Sequence, residues 1–222
     1  MRRFFTILLL VVVFLASMAQ ATAETNLTEM STEDLLALRA EINNEIAARY
    51  EPPVIEEGKK LIEVFPDKTL ARFVRDQVGL FSTNDRITQD QLDTITRIDF
   101  DGWYDDVLSL EGIQYLTNLK YLRLWREKEM CEIPEKIGDL QNLKQIDFHW
   151  CGITHVPDSI CNLTNLEELT LYGMDIEELP EDIGNLQSLK KLNIGDTKIK
   201  ELPSSIYNLK LEEFGRDHLD LD

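Results

Sequence analysis

The sequence predicts an α/β solenoid: a short parallel sheet on a concave face, turns and short helices on the convex face, and an α-helical cap at the N-terminal end. Three observations lead there. Leu119-x-x-Leu122-x-Leu124 recurs as Leu143-x-x-Ile146-x-Phe148, Leu166-x-x-Leu169-x-Leu171 and Leu189-x-x-Leu192-x-Ile194, at offsets of 24, 23 and 23 residues. A second register, Ile133-Pro134, Val156-Pro157, Leu179-Pro180 and Leu202-Pro203, runs at the same period with an isoleucine three residues after each proline. Ahead of the array, Leu70, Phe73, Val74 and Val78 share one helical face between Pro66-Asp67 and Gly79.

The chain begins with an export signal. Arg2 and Arg3 precede an uncharged apolar run from Phe4 to Ala16, and the small residues Ala19, Ala21 and Ala23 follow. The run is shorter than the roughly 20 residues needed to cross a bilayer, so cleavage before Glu24 is expected rather than a retained membrane span. The expected organisation is a signal peptide over 1–23, an N-terminal helix and linker over 24–57, a helical cap over 58–94, and repeats over 95–222, about five full and one truncated. In 24–57, Leu35, Leu38, Ile42 and Ile46 form one stripe. That stripe has three uses open to it: packing on the repeats, self-association, or exposure to a partner. Glu51-Pro52-Pro53 ends it, and the stretch to Gly58 reads as a linker. In the cap, Thr88-Gln89-Asp90-Gln91 predicts a capping box ahead of Leu92.

Within each repeat the alternate apolar residues point to one side of an extended strand and their neighbours to the other. The proline, which lacks a backbone N–H, is expected to end the strand side. A turn or short helix then carries Ile and Leu back inward, as at Ile183 and Leu186. One coil cannot bury its apolar side alone; stacked coils can. The upstream Ile95-x-x-Ile98-x-Phe100 and the shortened Leu211-x-x-Phe214 extend the array at either end.

These locked registers resemble leucine-rich repeats, whose period spans 20 to 29 residues. The stretch from about residue 62 to 124, including Leu110-Glu111-Gly112-Ile113-Gln114-Tyr115-Leu116-Thr117-Asn118-Leu119, resembles the N-terminal flank and first repeats of bacterial internalin-like proteins. The resemblance implies a secreted bacterial protein without enzymatic activity. The sequence departs from the repeat pattern at the position where the family usually carries asparagine. Trp103, Glu127, Cys151, Met174 and Thr197 stand there, so the interior ladder must be satisfied by other means. The Leu119 repeat also holds one extra residue between Trp125 and Ile133.

With 41 acidic against 23 basic side chains, the net charge is −18. Nucleic acid is excluded as a partner, because displacing counterions from phosphates needs a basic stripe. No catalytic residue, metal ligand or cofactor is expected: nucleophile elbow, phosphate loop and histidine pairs at metal spacing are all missing from the sequence. The acidic run from Asp99 to Asp106 invites calcium but lacks the alternating acids of a calcium loop; a solvated turn is the commoner reading. Cys131 and Cys151 fall in adjoining coils, where a bridge or two idle thiols are both open.

The positive signal lies in the outward strand positions. Trp125, His149 and Tyr172 fall in one column on three neighbouring strands, flanked by Arg126 and Trp150. Beside them run Arg123, Asp147 and Thr170, with Asp99 preceding, and Tyr121 stands one column further out. Large aromatics facing water are costly to leave bare and are enriched at recognition hot spots, although stacked rings also stabilise sheets. The expected ligand site is therefore Tyr121, Arg123, Trp125, Arg126, Asp147, His149, Trp150, Thr170 and Tyr172. A protein ligand is the first expectation. A glycan stacking on the rings, and a structural envelope component assembling through the N-terminal helix, are the alternatives. The expected location is outside the inner membrane: secreted, periplasmic or in the cell envelope.

Overall fold

The computed structural model describes residues 52–102, 106–130 and 132–218. The chain divides into two compact units, 1–51 and 52–222, and all described residues belong to the second. The expected export signal, the Leu35–Ile46 stripe, residues 103–105 of the acidic turn and Cys131 lie outside them.

Three helices open the unit: α1 (Leu61–Val64), α2 (Lys68–Val78) and α3 (Gln89–Leu92). Asp67 caps α2 by accepting from the amides of Thr69 and Leu70 at 2.9 and 2.8 Å, and Gly79 closes it with φ 73°. The capping box predicted at Thr88 and Gln91 is present. Leu61, Leu70, Ala71, Val74 and Leu92 are buried. Ile55, in the expected linker, is buried as well, and its amide donates to Gln89 Oε1.

The repeats form six parallel strands in chain order: β1 (Arg97–Phe100), β2 (Tyr121–Trp125), β3 (Gln145–His149), β4 (Glu168–Tyr172), β5 (Lys191–Asn193) and β6 (Glu213–Gly215). Each L-x-x-L-x-L stacks on its neighbour in register, so that Leu122, Ile146, Leu169 and Leu192 form one buried column. Leu124, Phe148, Leu171 and Ile194 form another within the same core. Each later coil returns through a 3-10 turn that buries Ile137, Ile160, Ile183 or Ile206.

The prolines do not end the strands. Strands β2 to β4 stop at Trp125, His149 and Tyr172, well before Pro134, Pro157 and Pro180. The residue after each of these strands takes a left-handed backbone: Arg126 (φ 62°), Trp150 (φ 51°) and Gly173 (φ 69°), with Gly102 and Asp196 in the corresponding places of β1 and β5. That conformation turns the chain out of the ladder. The prolines instead open the 3-10 turns, where φ near −65° is already right and the missing N–H is not needed. Their carbonyls accept from Ile137, Ile160, Ile183 and Ile206.

The extra residue of the Leu119 repeat falls between Glu127 and Met130. Met130 is buried where the later coils bury Ile153 and Ile176, while Lys128 and Glu129 are exposed. The asparagine position is filled by different chemistry in each coil. Glu127 is fully buried and accepts from the Val107 amide through Oε2 at 2.8 Å; its Oε1 has no hydrogen-bond partner. The Cys151 thiol is free and donates to the Leu124 carbonyl, and Thr197 Oγ1 donates to the Ile194 carbonyl at 2.8 Å. A second ladder runs elsewhere and had gone unread in the sequence. Asn118, Asn142 and Asn165, one residue before each leading leucine, donate to the carbonyls of Asp93, Thr117 and Gln141 in the preceding coil, each at 2.9 Å.

Phe148 sits mid-array with no exposed surface. Phe148→Ala should lower the unfolding free energy in denaturant by about 3–5 kcal/mol, the range for emptying a large aromatic from a packed core. Burial also pushes the Glu127 carboxyl above the usual carboxylate range, with Asp106 and Asp101 adding repulsion against the Val107 bond. A raised folded-state value means stability that is complete below about pH 4.5 and falls as the pH rises. Glu127→Gln should therefore melt higher than the parent at neutral pH, with the difference closing in acid.

Candidate functional site

The nine residues expected to form the ligand site share the outward face of the sheet. Strand alternation buries Leu122 and Leu124 of β2 and leaves Tyr121, Arg123 and Trp125 facing out. The register sets Trp125 against His149 and His149 against Tyr172, and likewise Arg123 against Asp147 and Asp147 against Thr170. Arg126 and Trp150 join from the left-handed positions. Tyr121, Trp125 and Trp150 are exposed by 39%, 36% and 39%; the other rings are half-buried by one another.

The rings form one contiguous cluster. Centroids lie 5.9 Å apart for Trp125 and His149, 5.5 Å for His149 and Tyr172, 6.1 Å for Trp125 and Trp150, and 5.6 Å for Trp150 and Tyr172. Guanidinium groups lie on aromatic faces at four places: Arg97 over Tyr121 at 5.7 Å, Arg123 over Trp125 at 4.8 Å, Arg126 over Trp150 at 5.6 Å and, in the last coil, Arg216 over Phe214 at 5.8 Å. Arg97 was not among the expected residues, though it stands one coil upstream of Tyr121 in the same column.

Glycines make room for the rings. A Cβ on Gly173 would lie within 2.4 Å of the Trp150 indole, and one on Gly195 would lie 3.0 Å from the Tyr172 ring. Each ring therefore lies across the backbone of the next coil. Holding Trp150 left-handed costs about 1–2 kcal/mol, which the glycines at 102 and 173 avoid. A bulky residue at φ 51° is an outlier of the kind that gathers at functional sites.

Charges are matched along the face. Arg123 lies 2.9 Å from Asp99 and 3.8 Å from Asp147, Arg97 lies 3.0 Å from Asp99, and His149 Nε2 lies 2.8 Å from Asp147. At the far end the Asp196 carboxylate raises the Tyr172 phenol above its ordinary value. Beside the sheet, Glu167 sits between Lys144 and Lys190 at 2.6 and 2.7 Å, which hold its carboxyl down to about 2. Burial pushes the Cys151 thiol up to about 11, so it stays protonated. Among the described residues no group of three or more metal-ligating side chains could hold an ion.

A parallel one-strand-per-coil sheet with 3-10 returns and an outward aromatic face defines a leucine-rich repeat solenoid. Residues 98–173 match the family model described as leucine-rich repeat region, and residues 46–93 match the bacterial adhesion/invasion protein N-terminal model. Over these two stretches the chain resembles bacterial internalin-like leucine-rich repeat proteins. Internalin C of Listeria monocytogenes is 32% identical over 83 residues, which is 37% of this chain and 27% of that protein. A solved internalin of the same species, InlF, aligns with a TM-score of 0.54 at 24% identity, covering 69% of this chain and 57% of its own. The functional domain of InlJ aligns at 0.57 and 20% identity, over 68% of this chain and 31% of its own. The two structures show the shared fold. This chain thus spans 27% of Internalin C and 57% of the InlF chain.

Gly173→Ala should destabilise the protein by about 1–2 kcal/mol through left-handed strain alone, and should also shift tryptophan emission as the indole is displaced. Unfolding in denaturant, followed by fluorescence, reads both. Acid titration gives a second check on the lateral face. Because the Glu167 value is depressed, its contribution is complete above about pH 4.5 and is lost as the pH falls towards 2. Glu167→Gln should flatten the decline in melting temperature within that window.

Proposed function

We propose that this protein is exported and binds another protein through the concave face of its repeats, without catalysing a reaction. The observation that carries the reading is the contiguous cluster of Trp125, His149, Trp150 and Tyr172, capped by Arg123 and Arg126 on the water-facing side of a rigid sheet. Tryptophan, tyrosine and arginine dominate the energetics of protein interfaces, and a buried ring contributes roughly 150–250 Å² of contact. Repeat solenoids offer such faces as extended binding surfaces. The interface expected is of the ordinary size, about 800 Å² per partner.

Export is supported by Arg2-Arg3 with the apolar run behind them, and by the internalin-like flank. Among the described residues, no helix is long and apolar enough to cross a membrane. A glycan ligand is the second reading. The observation favouring it is the way Trp150 and Tyr172 lie across Gly173 and Gly195, with the Asp196 carboxylate acting on the Tyr172 phenol. Ring faces next to hydroxyl-binding carboxylates suit a sugar.

The double variant Trp125→Ala, Tyr172→Ala separates the site from the fold. It should weaken partner binding by at least about thirtyfold, as expected for two hot-spot rings, while the repeat domain still unfolds cooperatively. A glycan array and an envelope-protein overlay, both probed with the mature chain, distinguish the readings. Binding that survives the double change would move the site off this face.

A further inference from the structure

The charges of the concave face narrow the partner's chemistry, an inference that rests on the concave-face reading above. Most charged groups there are satisfied within the protein. Asp99 takes Arg97 and Arg123, Asp147 takes Arg123 and His149, and Lys191 lies 3.4 and 3.8 Å from Glu168 and Glu213. Asp101 and Arg126 are likewise engaged. Two acids differ. Asp196 and Asp217 stand on adjoining coils at the end of the ring row, both exposed, and among the described residues neither has an ion-pair partner. The Asp196 amide bonds the Asp217 carbonyl at 2.9 Å, which keeps the two residues side by side. The Tyr172 ring and the Asp217 carbonyl both border Gly195, the residue before Asp196, so the carboxylates adjoin the aromatic cluster.

We infer that the partner is a protein with a basic surface patch, which docks so that a lysine or arginine side chain meets Asp196 and Asp217 while adjoining apolar groups cover Tyr172 and Trp150. The physical reasons are additive. A cation at this corner gains two carboxylates, whereas a carboxylate there meets their repulsion. Glu168 and Glu213 share Lys191, so this end of the face already carries excess acid, and Asp196 and Asp217 add to it beside Arg216. The overall charge of −18 reinforces it, attracting basic partners and repelling acidic ones during encounter. Apolar rings with charge at their rim make the usual interface arrangement, in which the rings hold the complex and the charges select it. A metal ion is the poorer occupant, since the described residues offer no three-ligand group.

The test is a random peptide display selection on the immobilised mature chain, with Asp196→Asn, Asp217→Asn as one comparison protein and Trp125→Ala, Tyr172→Ala as another. Enriched peptides should carry a surplus of Lys or Arg beside aromatic or aliphatic residues. Their association rate with the asparagine variant should drop by about three- to tenfold and become less salt-dependent, as removal of exposed charge pairs predicts. The alanine variant should abolish binding outright. Enrichment of neutral or acidic peptides overturns the basic partner, as does an association rate unchanged in the asparagine variant or a failure to enrich any basic sequence. If the alanine variant still removes binding in those cases, the concave-face reading stands and only the partner's charge is wrong. Binding untouched by either variant ends both.

Discussion

The position of every outward side chain depends on the in-register parallel ladder between neighbouring coils. One coil buries too little apolar surface to fold alone, so the columns led by Leu122 and Leu124 hold only because each coil covers the next. A slip of one residue would turn those leucines to water and the rings of Trp125, His149 and Tyr172 into the core. The same burial that stabilises the array therefore fixes which groups can meet a ligand. The cap extends the arrangement at one end: Gly112 passes so close to the Val64 carbonyl that a Cβ would not fit between them.

Polar groups inside the solenoid are satisfied coil by coil rather than by one repeated device. The asparagines at 118, 142 and 165 tie each coil to the one before. At the position where the family usually places asparagine, the chain uses a thiol, a hydroxyl and a carboxyl. The first two are inexpensive to bury once hydrogen-bonded. Glu127 is not, because one oxygen lacks a partner and the ionised form is disfavoured.

That cluster combines two kinds of work. Stacked rings and guanidinium groups stabilise the sheet against its neighbours. Two of its large rings, Trp125 and Trp150, nonetheless retain more than a third of their surface in water, and Trp150 holds a backbone conformation that glycine adopts at far less cost. The proposed recognition would use such aromatic surface, already in place before a partner arrives.

By itself the sequence determined the repeat period, the inward columns, the capping signals at Asp67 and Thr88, and the outward columns that bring Trp125, His149 and Tyr172 together. All of these follow from alternation along a strand and from a fixed period between coils, which are one-dimensional properties. It did not show that the strands end at left-handed residues instead of prolines, though Gly102 and Gly173, in register with Arg126 and Trp150, carried that signal. Nor did it show that Ile55 joins the core, that Glu127 is buried with an unmet oxygen, or that Asp196 and Asp217 stand without cations while the neighbouring acids are paired. Those outcomes depend on which side chains reach one another across coils. Backbone turns and side-chain reach set such distances in three dimensions, and only the folded structure decides them.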